Sequence, residues 1–177
     1  MKAQIPDTIR SATVDLDGPT HYFDFGGNPE GPLVVGVHGL GGAAWNWAAV
    51  APMLTPHVRL VAPDLAGHGR TPAAGRRTTV PANRRLLERF LAVVTDEPVV
   101  LMGNSMGGAI SLLTAAASPD LVRGLVLVDP ALPRPLATLP IAHFENEDVS
   151  ADNQVAIVSN DREKGSNGGV MYVIDIR

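Results

Sequence analysis

LMGNSMGGAI, residues 101–110, decides how the rest of the chain is read. The apolar run Val99–Met102 ends at Gly103, and a small-residue helix is expected to begin just past Ser105. Gly103-Asn104-Ser105-Met106-Gly107 is thus a G-x-S-x-G sequence with a strand before it and a helix after it, the context in which that pattern carries chemistry. A serine on so tight a turn takes a strained backbone conformation, and side chains at the flanking positions would collide. Glycine removes the collision. The hydroxyl is then held above the sheet edge, beside backbone N–H groups at the start of a helix that can stabilise a developing oxyanion. Ser105 is the candidate nucleophile.

Acyl transfer needs a second hydrogen-bond donor from a nearby strand end. His38-Gly39-Leu40-Gly41-Gly42 follows the valine-rich run LVVGV (33–37), and its glycines permit close backbone approach. The expected donors are the amides of Leu40 and Met106, with Gly41 the alternative to Leu40.

Working outward, apolar strand runs alternate with helical segments. LVVGVHG (33–39), VRLVAPD (58–64), PVVLMG (98–103) and GLVLVDP (124–130) predict strands buried on both faces. AWNWAAVAPML (44–54), PANRRLLERFLAVV (81–94) and SMGGAISLLTAAA (105–117) predict helices. In the second of these, Leu86, Leu87, Phe90, Leu91 and Val94 recur at three- and four-residue intervals. Before them, TIRSATVDLDGPTHYFDFGG predicts two strands around an Asp17-Gly18 turn. The expected fold class is α/β, a three-layer sandwich with a mostly parallel sheet.

Composition narrows the function classes. A chain of 177 residues, 45% apolar, supports one core. No apolar run approaches the ~18 residues of a membrane span. The first sixteen residues, MKAQIPDTIRSATVDL, lack the apolar segment of a signal peptide. There are no cysteines, which fits a reducing, cytoplasmic compartment. A net charge of −4 offers no broad attraction to nucleic acid or anionic membranes. The one basic cluster, Arg76, Arg77, Arg84, Arg85 and Arg89, is expected to be a solvated helix face and its preceding loop.

HGLGG after the third strand, DLAGHGRT (64–71) after the fourth and GNSMGG after the fifth together resemble the α/β-hydrolase superfamily, nearest its esterase, lipase and C–C-bond hydrolase branches. The resemblance covers roughly residues 10–135. It implies an acyl-enzyme at Ser105, a small ester-like substrate and no cofactor or metal. Serine at this position, where haloalkane dehalogenases and epoxide hydrolases carry aspartate, argues against those branches. The resemblance makes Asp64 and His68 loop-shaping residues, and His38 a hydrogen-bonding neighbour of the oxyanion loop rather than the base. Trp45 and Trp47 are expected to line a pocket or to join the core.

The serine needs a base, and the base an orienting carboxylate, in the chain order Ser…Asp/Glu…His. Fewer than fifty residues follow the sixth strand, too few for the cap, acid strand, helix and histidine loop that the resemblance implies, so the fold is expected to be incomplete at its C-terminal end. His143 is the only histidine after Ser105, and Asp129 ends the sixth strand, giving Asp129 and His143 as the candidate acid and base. The alternatives are a C–C-bond hydrolase of the same fold and a catalytically inactive, truncated remnant.

The texture changes near residue 140. All fifteen prolines lie at or before Pro140, and seven of the eighteen acidic residues follow Phe144. Residues 1–140 are therefore assigned to the hydrolase core and 141–177 to an atypical tail. In that tail VAIVS (155–159) and GVMYVIDI (169–176) predict a long hairpin, which weakly resembles a β-propeller blade. A sheet ending at GLVLV leaves an edge open to self-association.

Overall fold

The computed structural model describes residues 9–130, together with the backbone of strand segments 139–141, 156–158 and 169–173. Strands β1 (Arg10–Asp15) and β2 (Pro19–Gly27) pair antiparallel around the expected turn. There Asp17 (φ 61°) and Gly18 (φ 113°) take positive φ, and the Gly18 amide donates to Asp15 Oδ1 at 2.8 Å. Arg76 donates to the carbonyls of Leu16, Asp17 and Gly18, and Arg89 pairs with Asp17. Two members of the basic cluster thus clamp the hairpin turn.

β2 runs antiparallel to β4 (Arg59–Pro63), while β3 (Leu33–Val37) lies parallel between β4 and β5 (Val99–Asn104). β6 (Val122–Val128) continues the parallel set beside β5. Leu139–Ile141 (β7), Ala156–Val158 (β8) and Gly169–Val173 (β9) complete the order β1-β2-β4-β3-β5-β6-β8-β9-β7. β8 pairs parallel with β6 and antiparallel with β9, so a strand meets the edge beyond GLVLV. The other residues after 130, His143 among them, lie outside the described residues.

Alternating strand residues feed two cores, one on each face of the sheet. Val35, Val37, Val61 and Leu101 pack with Leu87, Phe90 and Leu91 of α2 (Val80–Val94) and Ile110 and Ala115 of α3 (Met106–Ala117). Val34, Leu60, Ala62 and Met102 pack on the other face with Phe23, Phe25, Ala44, Trp47 and Ala51. This is the expected three-layer arrangement. Each fully buried Leu or Phe contributes about 1.5–3 kcal/mol of transfer free energy.

Residues 44–54 depart from the expected single helix. They form a 3₁₀ segment, Ala44–Ala49, followed by one α turn, α1 (Ala51–Leu54). Pro52 lacks the N–H that a continuous helix would use, and the Asn46 side chain instead accepts the Ala43 amide at 2.9 Å. The break lets Trp47 dive into the core over Gly36, where an added methyl would lie 2.8 Å from the indole. Trp47 is 8% exposed, whereas Trp45 is 39% exposed and rests on Phe23 and Phe25. Among the described residues no helix is long and apolar enough to cross a membrane.

Candidate active site

The chain steps from β4 across β3 to β5, so the carboxyl ends of β3 and β5 form a topological switch point, where open α/β sheets present ligand crevices. The register aligns Val37 with Gly103, which brings the loop after β3 against the turn after β5. Both glycine-rich motifs therefore meet at one edge of the sheet.

Ser105 occupies the turn between β5 and α3 with φ 49° and ψ −117°, outside the usual regions for a side-chain-bearing residue. The surrounding bonds hold it there. Its amide donates to the Val128 carbonyl at 3.0 Å, and its own carbonyl accepts the Ala109 amide at 3.2 Å. The flanking glycines are sterically required. A methyl on Gly107 would lie 2.2 Å from the Val37 carbonyl oxygen, and one on Gly103 would lie 2.5 Å from that of Gly107. Gly39 backs directly onto the turn, where a methyl would lie 2.9 Å from Asn104 Oδ1 and 3.2 Å from Ser105 Cβ.

Leu40 sits at the tip of the neighbouring loop and is 78% exposed. The loop closes through the Gly42 amide donating to the Gly39 carbonyl at 3.1 Å, with Gly41 at φ 71°. Among the described residues the Leu40 amide donates to no backbone carbonyl. Met106 is the first residue of α3, where helix geometry leaves the amide without an intrahelical acceptor. Gly39, the residue before Leu40, and Met106, the residue after the serine, therefore both adjoin Ser105.

His38 ties that loop to the segment after β4. It is buried, its Nδ1–H donates to the Gly39 carbonyl at 2.8 Å, and its Nε2 accepts the Leu65 amide at 3.0 Å. Both ring nitrogens are committed to backbone, which leaves none to serve as a base. Burial lowers its pKa below the ordinary value, and the backbone bond to Gly39 offsets only part of that. Accepting an amide at Nε2 requires the same neutral ring.

Asp64 is the second organiser. Its Oδ1 accepts the Ala44 amide at 2.7 Å, while Oδ2 accepts His21 Nδ1–H at 2.7 Å and the Arg70 amide at 2.9 Å. One buried carboxylate therefore joins β2, the start of the 3₁₀ segment and the DLAGHGRT loop. The sequence places Asp64 in a loop-shaping segment but does not reveal His21 as its partner, 43 residues away.

Asp129 follows β6 with φ 44° and is exposed. It directly succeeds Val128, whose carbonyl also accepts Asn104 Nδ2 at 3.2 Å. Its backbone is thereby adjacent to the serine turn. Among the described residues no histidine bonds to it, and its expected partner His143 lies outside them.

Comparison with known proteins places this geometry. Residues 32–159 match the alpha/beta hydrolase fold family. The chain is 44% identical over 105 residues to lipase LipV of Mycobacterium tuberculosis, a match covering 59% of this chain and 40% of that protein. It is 42% identical over 114 residues to a 2-hydroxy-6-oxo-2,4-heptadienoate hydrolase of Pseudomonas putida, covering 62% and 40%. Among solved structures, a membrane phospholipase A superposes with a TM-score of 0.66 at 32% identity, covering 73% of this chain and 42% of that one. The chain thus spans about two fifths of the length of these relatives. From the strand order, the serine turn and the family match together, the chain belongs to the α/β-hydrolase family.

Proposed function

We propose that the chain is a serine hydrolase acting on a small carboxylic ester, with Ser105 as nucleophile. The observation that carries this reading is the positive-φ turn that presents Ser105 against Gly39. Ser105 Oγ attacks the carbonyl carbon, and the amides of Leu40 and Met106 hold the resulting oxyanion. The Oγ proton passes to His143, which Asp129 orients, and the alcohol departs with that proton. Water then releases the acid from acyl-Ser105. A cytoplasmic setting accords with the absence of cysteine.

Hydrolysis of p-nitrophenyl acetate and butyrate by the full chain tests the proposal. Ser105→Ala is expected to lower the rate by about two orders of magnitude or more. His143→Ala tests the base: an unchanged rate in that variant removes His143 from the mechanism while leaving Ser105 in it.

A second reading, C–C-bond hydrolysis of a vinylogous diketone, is favoured by the 42% identity to the heptadienoate hydrolase. Ester turnover without diketone cleavage decides for the esterase, and the converse result for the C–C hydrolase.

A further inference from the structure

A second serine, distant from the candidate site, carries its own base and acid. Ser11 lies on β1, the outermost strand next to β2, and is exposed. Its Oγ is 2.8 Å from His21 Nε2, and His21 Nδ1 is 2.7 Å from Asp64 Oδ2. His21 and Asp64 are 4% and 1% exposed, so a buried imidazole–carboxylate pair stands behind a hydroxyl that faces solvent. This is the Ser–His–Asp connectivity of an activated nucleophile, in the chain order Ser11, His21, Asp64. It is four strands from β5, about 19 Å across the sheet at the usual strand spacing.

The hydrogen-bond directions are consistent throughout. Asp64 Oδ2 accepts, so His21 Nδ1 carries the proton and the neutral ring offers Nε2 as acceptor. Arg70 Nη1 donates to Ser11 Oγ at 2.9 Å, so Ser11 Oγ–H is left to donate to Nε2. The imidazole is pinned by its backbone. The His21 amide donates to Thr71 Oγ1 at 2.9 Å, and the His21 carbonyl accepts the Asp64 amide at 2.9 Å. Ser11 stands opposite Phe23 in the β1–β2 register, and the Arg70 guanidinium lies over that ring at 5.6 Å.

We propose that Ser11, His21 and Asp64 form a second acylation site that takes small, activated carboxylic esters such as aryl esters, with Arg70 as the cation facing the developing oxyanion. Ser11 Oγ attacks the carbonyl carbon and its proton moves to His21 Nε2. The ester C–O bond breaks, and the alcohol leaves with that proton. Water next attacks acyl-Ser11, gives its proton to His21, and releases the acid as the proton returns to Ser11 Oγ. The site does not depend on Ser105, because the two serines share no partner. Among the described residues Ser11 Oγ has only His21 and Arg70 as partners, and the loss of a single oxyanion-hole donor slows comparable serine sites by roughly 10²–10³-fold.

Ester-like labelling with a fluorophosphonate reads both serines separately. Cleavage after arginine places Ser11 in the peptide 11–59, where it is the only serine, and Ser105 in the peptide 90–123. In full-length Ser105→Ala, peptide 11–59 is expected to gain the phosphonyl mass, and the label is expected to vanish in Ser105→Ala/Ser11→Ala and in urea. Ser11 is exposed, so its alanine variant should melt at the parent temperature. Folded His21→Gln should lose the label at least tenfold, while Arg70→Met should slow it without abolishing it. An unlabelled peptide 11–59 in folded Ser105→Ala overturns the proposal. So does labelling that survives His21→Gln or persists in urea. Label located at Ser105 within peptide 90–123 reports on the proposed function and not on Ser11.

Discussion

The amide of Ser105 is bonded to the carbonyl of Val128, 3.0 Å away on the neighbouring strand. The serine turn is therefore anchored across the sheet, on β6 as well as on its own helix. Asn104 Nδ2 donates to the same carbonyl at 3.2 Å and abuts Gly39. Replacing Asn104 by Ala removes one of the two donors and a wall of the turn. The expected cost is about 1 kcal/mol in urea unfolding, together with slower labelling of Ser105 by a fluorophosphonate. Unchanged labelling would show that the Ser105 amide holds the turn unaided.

Two glycines of the site should respond differently to alanine. Gly107 has no room: its methyl would enter the carbonyls of Val37 and His38, at 2.2 and 2.5 Å. Those are backbone atoms of the central strand end and cannot swing aside, so Gly107→Ala is expected to lose about 3 kcal/mol or to fail to fold. Gly41 has nothing within 4 Å and only its φ of 71° to satisfy. Gly41→Ala should cost about 1 kcal/mol, read as a small shift in the thermal midpoint. Equal losses would contradict this packing.

Stability should fall on mild acidification through His38. Burial holds its pKa below the ordinary 6.5, so the neutral ring is the folded form. Above that ordinary value neither state is protonated, and the contribution is complete. As pH drops below it the unfolded chain takes up the proton first, so stability declines until the folded-state pKa is passed. His38→Gln should be less stable at pH 8 yet show a shallower decline between pH 7 and 5. Melting curves across that range check the slope, and parallel declines would remove His38 as its source.

Asp64→Asn should be more damaging than its single-atom change suggests. The carboxylate accepts three N–H groups through two oxygens, and an amide nitrogen in place of either oxygen faces a donor with a donor. A loss of about 3 kcal/mol is expected in urea unfolding. A loss below ~1 kcal/mol would mean that these amides find other acceptors.

Much of the fold could be read from residue patterns, and particular positions show why. Val34, Val35, Leu60 and Val61 lie in continuous apolar runs because both faces of their strands are covered. Gly103, Ser105 and Gly107 were recognisable because strand, turn and helix meet there within a few residues. In residues 44–54 the apolar texture suggests one helix, but Pro52 and the Asn46 side chain on the Ala43 amide divide it. β7 at Leu139–Ile141 had no sequence signal among the prolines around it. Partnerships across long separations were also invisible. Arg89 with Asp17, 72 residues apart, and His21 with Asp64 follow from strand order, which local periodicity does not encode.

In the proposed mechanism Ser105 is the reactive serine of an assembled turn. Peptide-mapped mass spectrometry after fluorophosphonate treatment tests it most directly. One phosphonyl adduct is expected on peptide 90–123, located at Ser105 and lost in Ser105→Ala, with any label on peptide 11–59 scored separately. A folded, full-length chain with no adduct on peptide 90–123 would contradict it.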